Sequence, residues 1–292
     1  MKIKVTKHFY FFVLYVKIKK IIGGHMIHIN TDKEFKINKE NTYLLIDFDK
    51  TITCCEGDDS WAAVANPKIV GKEIKNDIDK LYEKYRPIEM DYNISKQEKL
   101  KQMEIWYSEC MNLYYNYKLT KNKIEESIKS SNIKFRKGVK ELLISLHKQN
   151  VPVIILSAGI GNTIEQFLKD NDCYFDDTMY IISNFIEFDK KGNVKKFDNS
   201  KIIHSLNKTI NGHLPNESKK KIKNKKYKIL VGDLIEDIKM VDKDDLNKTL
   251  TIGILTKEME NDENLRLYNA KFDIVLTDEE NLGEFIRKLI EI

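Results

Sequence analysis

No apolar stretch in this 292-residue chain approaches the roughly 20 residues that a membrane-spanning helix needs. The apolar run at residues 9–16 is far shorter and has lysines on both sides. It resembles the core of a signal peptide in size, but no small-residue cleavage site follows it. Residues 1–40 are therefore expected to be an extension outside the catalytic fold, with Met26 as an alternative start and no stable membrane insertion. Cysteine is scarce as well. The four thiols, at 54, 55, 110 and 173, have neither disulfide nor zinc-ligand spacing. Cys54 and Cys55 are adjacent, which suits a bridge between them poorly. Free thiols in a reducing, cytoplasmic setting are the simpler expectation. With four prolines and twelve glycines, the chain has no low-complexity linker, and no internal repeat.

Excess charge is missing too. The net charge is +5, but residues 1–24 hold six lysines and no acid. The remainder carries 44 basic and 45 acidic residues. A near-neutral body argues against nucleic-acid binding, which needs a basic surface. The lysine-rich stretch at residues 219–228 is the local exception and reads as a solvated face. A hydrophobic content of 41% and a charged content of 33% describe a globular protein.

What is present centres on Asp47-Phe48-Asp49-Lys50-Thr51, directly after the apolar run Tyr43-Leu44-Leu45-Ile46. Two carboxylates two residues apart at a strand end share one face. A following turn can aim both at a site for a hard cation and a phosphoryl group. The first acid can attack phosphorus, and the second can handle the proton on the leaving oxygen. A surface turn carrying two aspartates is the competing reading of the pentad alone. Three further segments follow in order. Val153-Ile154-Ile155-Leu156 leads into Ser157-Ala158-Gly159-Ile160-Gly161. Lys208 ends Ile202-Ile203-His204-Ser205-Leu206-Asn207-Lys208. Ile229-Leu230-Val231 leads into Gly232-Asp233-Leu234-Ile235-Glu236-Asp237. In open parallel sheets, ligands bind beyond the carboxyl ends of such strands.

The ordered set resembles the four motifs of the haloacid dehalogenase-like phosphohydrolases. Leu156-Ser157-Ala158-Gly159-Ile160-Gly161-Asn162 and Ser183-Asn184-Phe185-Ile186-Glu187-Phe188-Asp189 narrow the resemblance to the cytosolic 5'-nucleotidase III (pyrimidine 5'-nucleotidase) family. Lys84-Tyr85-Arg86-Pro87-Ile88-Glu89-Met90-Asp91 and Glu104-Ile105-Trp106-Tyr107 are similar to that family's cap. The likeness runs from about Tyr43 to the C-terminus. It departs from the vertebrate pattern in residues 54–61.

The fold implied is α/β, a Rossmann-like parallel sheet core (haloacid dehalogenase-like) built from residues 41–67 and 132–292. Residues 68–131 would form an inserted helical cap. There, Ile74, Ile78, Leu81 and Tyr85, then Leu100, Met103, Tyr107 and Met111, recur at helical spacing. The aromatics Trp106, Tyr107, Tyr114, Tyr115 and Tyr117 read more readily as packing than as base stacking.

The resemblance implies a 5'-nucleotidase that hydrolyses nucleoside monophosphates, with pyrimidine nucleotides favoured. Asp47 would be the nucleophile and Asp49 the general acid and base. Ser157 would end its strand and Ala158 and Gly159 open a turn before a helix, whose backbone N–H groups would hold phosphate oxygens with the Ser157 hydroxyl. Lys208 would neutralise the transferring group. A Mg²⁺ ion suits an all-oxygen site. Asp47 and Asp233 would hold it with their carboxylates and Asp49 with its carbonyl, while Asp237 would serve as ligand or as support. Asp233 and Asp237 could also be a helix-capping pair. In the cap, Glu89, Trp106 and Cys110 are candidates for contacting the base; for Glu89 alone, a solvated helix-end acid is the competing reading. A phosphatase for another small ester and a catalytically silent binding module are the alternatives.

Overall fold

We describe the protein from a computed structural model, which covers residues 28–29, 35–91 and 93–292. The apolar run at residues 9–16 and Met26 lie outside the described residues.

Among the described residues, seven strands make one sheet: β1 (His28–Ile29), β2 (Thr42–Ile46), β3 (Val153–Ile160), β4 (Met179–Asn184), β5 (Tyr227–Gly232), β6 (Thr249–Leu255) and β7 (Ile274–Thr277). Their order is β1-β7-β6-β5-β2-β3-β4. β2 to β7 run parallel, and β1 adds antiparallel to the edge strand β7. The parallel strands read as continuous apolar runs because helices cover both faces. β2 shows the division. Leu44 and Ile46 face one core, which holds Leu142, Leu143 and Leu146 of the helix Val139–Lys148 and Phe285, Ile286 and Leu289 of the helix Leu282–Ile290. Tyr43 and Leu45 face the other, with Met240, Tyr268 and Phe272. Alternation along one strand thus fills two layers.

β2 lies between β5 and β3, with Leu45 opposite both Leu230 and Ile154. The segments bearing Asp47, Ser157 and Asp233 therefore emerge side by side at one sheet edge. One local expectation changes. β3 does not end at Leu156 but runs to Ile160, with a register irregularity between those residues, and the next helix starts at Gly161. Ala158 and Gly159 thus lie on a distorted strand rather than on a free turn.

Between β2 and the core helix Val139–Lys148 the chain forms the helices Lys72–Met90, Lys96–Asn116 and Lys121–Lys129. Ser95 starts the second by accepting the Glu98 N–H, a regular N-cap. Tyr85, Met103, Trp106 and Cys110 form a buried cluster of their own. No described helix is long and apolar enough to cross a membrane.

The expected boundary near residue 41 sits too late. Phe35 and Ile37 are buried in the main core, Phe35 edge-on to Tyr227 at 6.1 Å, and β1 pairs with β7. Apolar residues in this segment gain more from the groove beside β5 than from solvent. A chain beginning at Met26 is expected to fold and to keep its activity. Phe35→Ala should cost about 3 kcal/mol, lowering Tm by several degrees. An unchanged Tm would place this segment outside the cooperative fold.

Candidate active site

Asp47 continues the ladder of β2, donating its N–H to the Val231 carbonyl at 3.0 Å. Asp47 is 6% exposed. Phe48 then anchors the chain in the core, edge-on to Phe167 at 5.8 Å. Asp49 follows in an extended conformation and Lys50 in a left-handed one, φ 59°. Asp49 is gripped by one residue: Ser60 donates its N–H to Oδ1 at 2.7 Å and its hydroxyl to Oδ2 at 2.5 Å. The same Ser60 hydroxyl accepts the Ile160 N–H, and the Ser60 carbonyl accepts the Thr163 hydroxyl. Ser60 thus ties Asp49 to the end of β3. Gly159 permits this approach, since a Cβ there would lie 2.0 Å from Ser60 Oγ and 2.7 Å from Asp49 Oδ2. The Ser157 hydroxyl accepts the Gly159 N–H at 3.0 Å, and Asn184 donates to the Ala158 carbonyl.

Lys208 arrives on a loop held by two asparagines. Asn184 bonds both the N–H and the carbonyl of Ile203, and Asn207 bonds the His204 N–H and the Ile202 carbonyl. The Lys208 ammonium, 5% exposed, sits 2.5 Å from Asp47 Oδ1 and 2.8 Å from Asp237 Oδ1. Asp237 is not on a long helix with Asp233. It lies in a short 3₁₀ turn, Ile235–Met240, and its Oδ2 accepts the Leu234 N–H at 3.0 Å. The Tyr268 hydroxyl donates to the Asp233 carbonyl.

Ligand atoms of Asp47, Asp233 and Asp237 all lie within 4.8 Å of one another. Burial is the main force on their protonation. It pushes Asp47 up to about 6, with Lys208 opposing and Asp237 adding. Asp49 is pushed up to about 7, chiefly by burial and then by Asp59, against the Ser60 hydrogen bonds. Asp233 is driven well above the carboxylate range by burial, Asp47 and Asp237. Burial pulls the Lys208 ammonium down, yet Asp237 and Asp47 more than offset it, so it stays charged. Three buried carboxylates facing this ammonium form an all-oxygen donor set with surplus negative charge, which fits a small hard cation.

These groups and the cap candidates line one cavity of about 260 Å³. Asp47, Asp49, Ser157, Ala158, Gly159, Lys208, Asp233 and Asp237 form its charged and polar part, and Glu89, Trp106 and Cys110 belong to the same lining. Glu89 is not a solvated acid. It accepts the Ser205 hydroxyl at 2.7 Å and pairs with Arg86. Trp106 stacks on Tyr85 and meets Tyr107 edge-on. The Cys110 thiol is pushed up to about 12 by burial and Glu109, so it stays neutral. The aromatic set divides: Tyr107 lines the cavity, Tyr114 is core, and Tyr115 and Tyr117 are exposed. The sequence reading missed Ser60, Asp59 and Trp61. Asp59 caps the helical turn Ser60–Ala63 by accepting the Ala62 N–H, so the Asp-Ser pair was a readable start signal. Nothing local showed that Ser60 would meet Asp49.

Comparison with known proteins agrees with this geometry. The family model for pyrimidine 5'-nucleotidase (UMPH-1) matches residues 48–292. The chain belongs to that family. It is 31% identical over 224 residues to the human 7-methylguanosine phosphate-specific 5'-nucleotidase, covering 76% of this chain and 73% of the human one. The protein of the same name from Gallus gallus is 29% identical, with 82% and 83% covered. Among solved structures, cytosolic 5'-nucleotidase IIIB bound to cytidine superposes with a TM-score of 0.75 at 24% identity, over 94% of this chain and 89% of that one. A phospho-aspartyl intermediate analogue of phosphoserine phosphatase shares the fold at a TM-score of 0.53, 19% identity and coverage of 87% and 99%. The pyrimidine 5'-nucleotidase family member described here is thus a phosphoric monoester hydrolase of the 5'-nucleotidase type.

The acidic cluster has a stability consequence. An unfolded aspartate releases its proton near pH 4, whereas folded Asp47 and Asp49 hold theirs to about 6 and 7. Between those limits the native state binds more protons, so the contribution of these groups to stability falls as pH rises. Without metal, Asp233→Asn should therefore raise Tm at pH 7.5 by about 2–4 °C, the equivalent of roughly 1 kcal/mol, and by less at pH 5.5. Mg²⁺ should raise the Tm of the unsubstituted protein and leave Asp233→Asn nearly unchanged. A destabilised variant that still responds to Mg²⁺ would contradict the charge-surplus account.

Proposed function

We propose that this 5'-nucleotidase hydrolyses nucleoside 5'-monophosphates through a phosphorylated Asp47, with Mg²⁺ as its cofactor. The observation that carries the reading is the single cavity that joins Asp47, Asp49 and Lys208 to Glu89, Trp106 and Tyr107. Asp47 attacks phosphorus in line, and the nucleoside leaves with its 5' oxygen. Asp49, whose half-buried carboxyl holds its proton to about 7, donates that proton to the departing oxygen. It then takes a proton from the water that cleaves the aspartyl-phosphate. Lys208 and Ser157, with the distorted strand end that follows it, hold the non-bridging oxygens. Asp47, Asp233 and the Asp49 carbonyl, braced by Asp237, would hold Mg²⁺, which supplies positive charge against the phosphoryl oxygens.

The cap side chooses the leaving group. Glu89 can accept an amino hydrogen from cytosine beside its bonds to Ser205 and Arg86, since a carboxylate has about four acceptor sites. Pyrimidine nucleotides are the first reading. The names of the curated relatives favour a second, 7-methylguanosine monophosphate, whose cationic base would suit aromatic walls such as Trp61, Trp106 and Tyr107. Phosphate release from CMP, UMP, AMP, GMP and 7-methylguanosine monophosphate separates the two. Failure on all five, with turnover of another small ester, would overturn the nucleotide reading. A cytosolic setting goes with this function and with the free thiols.

Asp47→Asn is expected to lower turnover at least about 10³-fold with the fold intact. Wild-type-like phosphate release by that variant would remove the nucleophile. Glu89→Gln should reduce kcat/KM for CMP about ten- to a hundredfold, the scale of one charge-assisted hydrogen bond, and for UMP by less. A generic aryl phosphate should be little affected. Equal losses on all three would mean that the Glu89 bonds to Ser205 and Arg86 hold the cap and do not read the base.

A further inference from the structure

The turn that carries Asp49 is stabilised from behind by a residue that does not line the cavity. Lys50 adopts a left-handed conformation, φ 59° and ψ 8°, which is disfavoured for a residue with a Cβ. The carbonyls that follow leave the strand ladder and need donors. Arg136 supplies them for three consecutive residues. Its Nη2 donates to the Lys50 carbonyl at 2.6 Å, its Nε to Thr51 at 3.1 Å and its backbone N–H to Ile52 at 2.8 Å. The side chain is 2% exposed. Its remaining arm, Nη1, meets Asp278 Oδ1 at 2.5 Å.

Asp278 extends the connection to the other side of the cavity mouth. Its Oδ2 accepts the Lys257 N–H at 2.7 Å. The flanking residues Thr256 and Glu258 line the cavity, and Glu258 pairs with the Lys50 ammonium at 2.8 Å. The circuit closes: Lys50 carbonyl, Arg136, Asp278, Lys257 N–H, Glu258 and the Lys50 ammonium. It fixes the Asp49 turn against the end of β6. A planar fork with several donors can serve two carbonyls and a carboxylate at once, which one ammonium cannot do.

We propose that the Arg136–Asp278 pair is a positioning device for the reaction, holding the 49–52 turn so that the Asp49 carboxyl meets the leaving oxygen. The inference rests on the reading of Asp49 as general acid. It predicts a leaving-group signature that a purely structural role would lack. A nucleoside 5' oxygen needs a proton to depart, whereas p-nitrophenolate does not. kcat/KM covers the steps up to departure of the leaving group.

The test measures kcat/KM at saturating Mg²⁺ for whichever of CMP and 7-methylguanosine monophosphate is turned over faster and for p-nitrophenyl phosphate in Arg136→Lys and Asp278→Asn, with Asp49→Asn as reference and circular dichroism as the check on folding. Misplacing a reacting group by about 1 Å can cost roughly a hundredfold. Arg136→Lys is expected to lose about ten- to a hundredfold on the nucleotide and less than about threefold on the aryl ester, with Asp278→Asn changing in the same direction. Should Arg136→Lys fail to fold, Asp278→Asn, which keeps its side-chain volume, carries the test. Equal losses on both substrates, or no loss, in a protein whose Asp49→Asn variant shows the signature would overturn the positioning role. Equal losses in Asp49→Asn itself would instead overturn the general-acid reading.

Discussion

The Lys208 ammonium, buried between Asp47 and Asp237, is the interaction on which the site depends. A buried ammonium is tolerable only beside carboxylates, and buried carboxylates only beside a cation. Satisfying both brings the end of β2, the turn after β5 and the loop at 202–208 to one point. These segments are far apart in sequence, yet β2 lies next to β5 in the sheet. Asn184 and Asn207 then fix the loop by its backbone, which sets where the Lys208 side chain can reach. The order of strands thus decides the place of the charge.

The ion pair does not balance the site. Asp47, Asp233 and Asp237 exceed Lys208 in charge, and burial raises the affinity of Asp47 and Asp233 for protons. A protein selected for stability alone would replace these acids with apolar residues. Their presence makes sense where a cation and a phosphoryl group complete the arrangement. Asp49 occupies a different environment a few residues away. It leans on Ser60 rather than on Lys208, and so two aspartates of one pentad can serve different steps.

Much of this was legible in the sequence, because the relevant residues follow apolar strands in a fixed order. The expected placing of Asp47, Ser157 and Asp233 needed only that order and the rule that ligands gather at strand carboxyl ends, whereas Lys208, on a loop that directly follows no strand, was singled out only by the family resemblance. The helical character of residues 68–131 followed from its apolar spacing. What escaped were contacts that depend on distance through space. Ser60 touches Asp49 because a loop folds back over β3, and Arg136 meets Asp278 across 142 residues. No local pattern encodes either meeting. The early part of the chain was misjudged for a similar reason: Phe35 and Ile37 find a groove that composition does not reveal. Ala158 and Gly159 read as a turn, yet a register irregularity keeps them on the strand.

The claim that Asp47 is the nucleophile is tested most directly by quenching the enzyme in acid during turnover with Mg²⁺ and a nucleoside monophosphate. Mass spectrometry of the peptides then locates any bound phosphoryl group. The account predicts a single acid-stable, base-labile phosphoryl group on Asp47 that disappears when substrate is exhausted. A phosphoryl group on another side chain, or rapid turnover in which none is ever trapped, would contradict it.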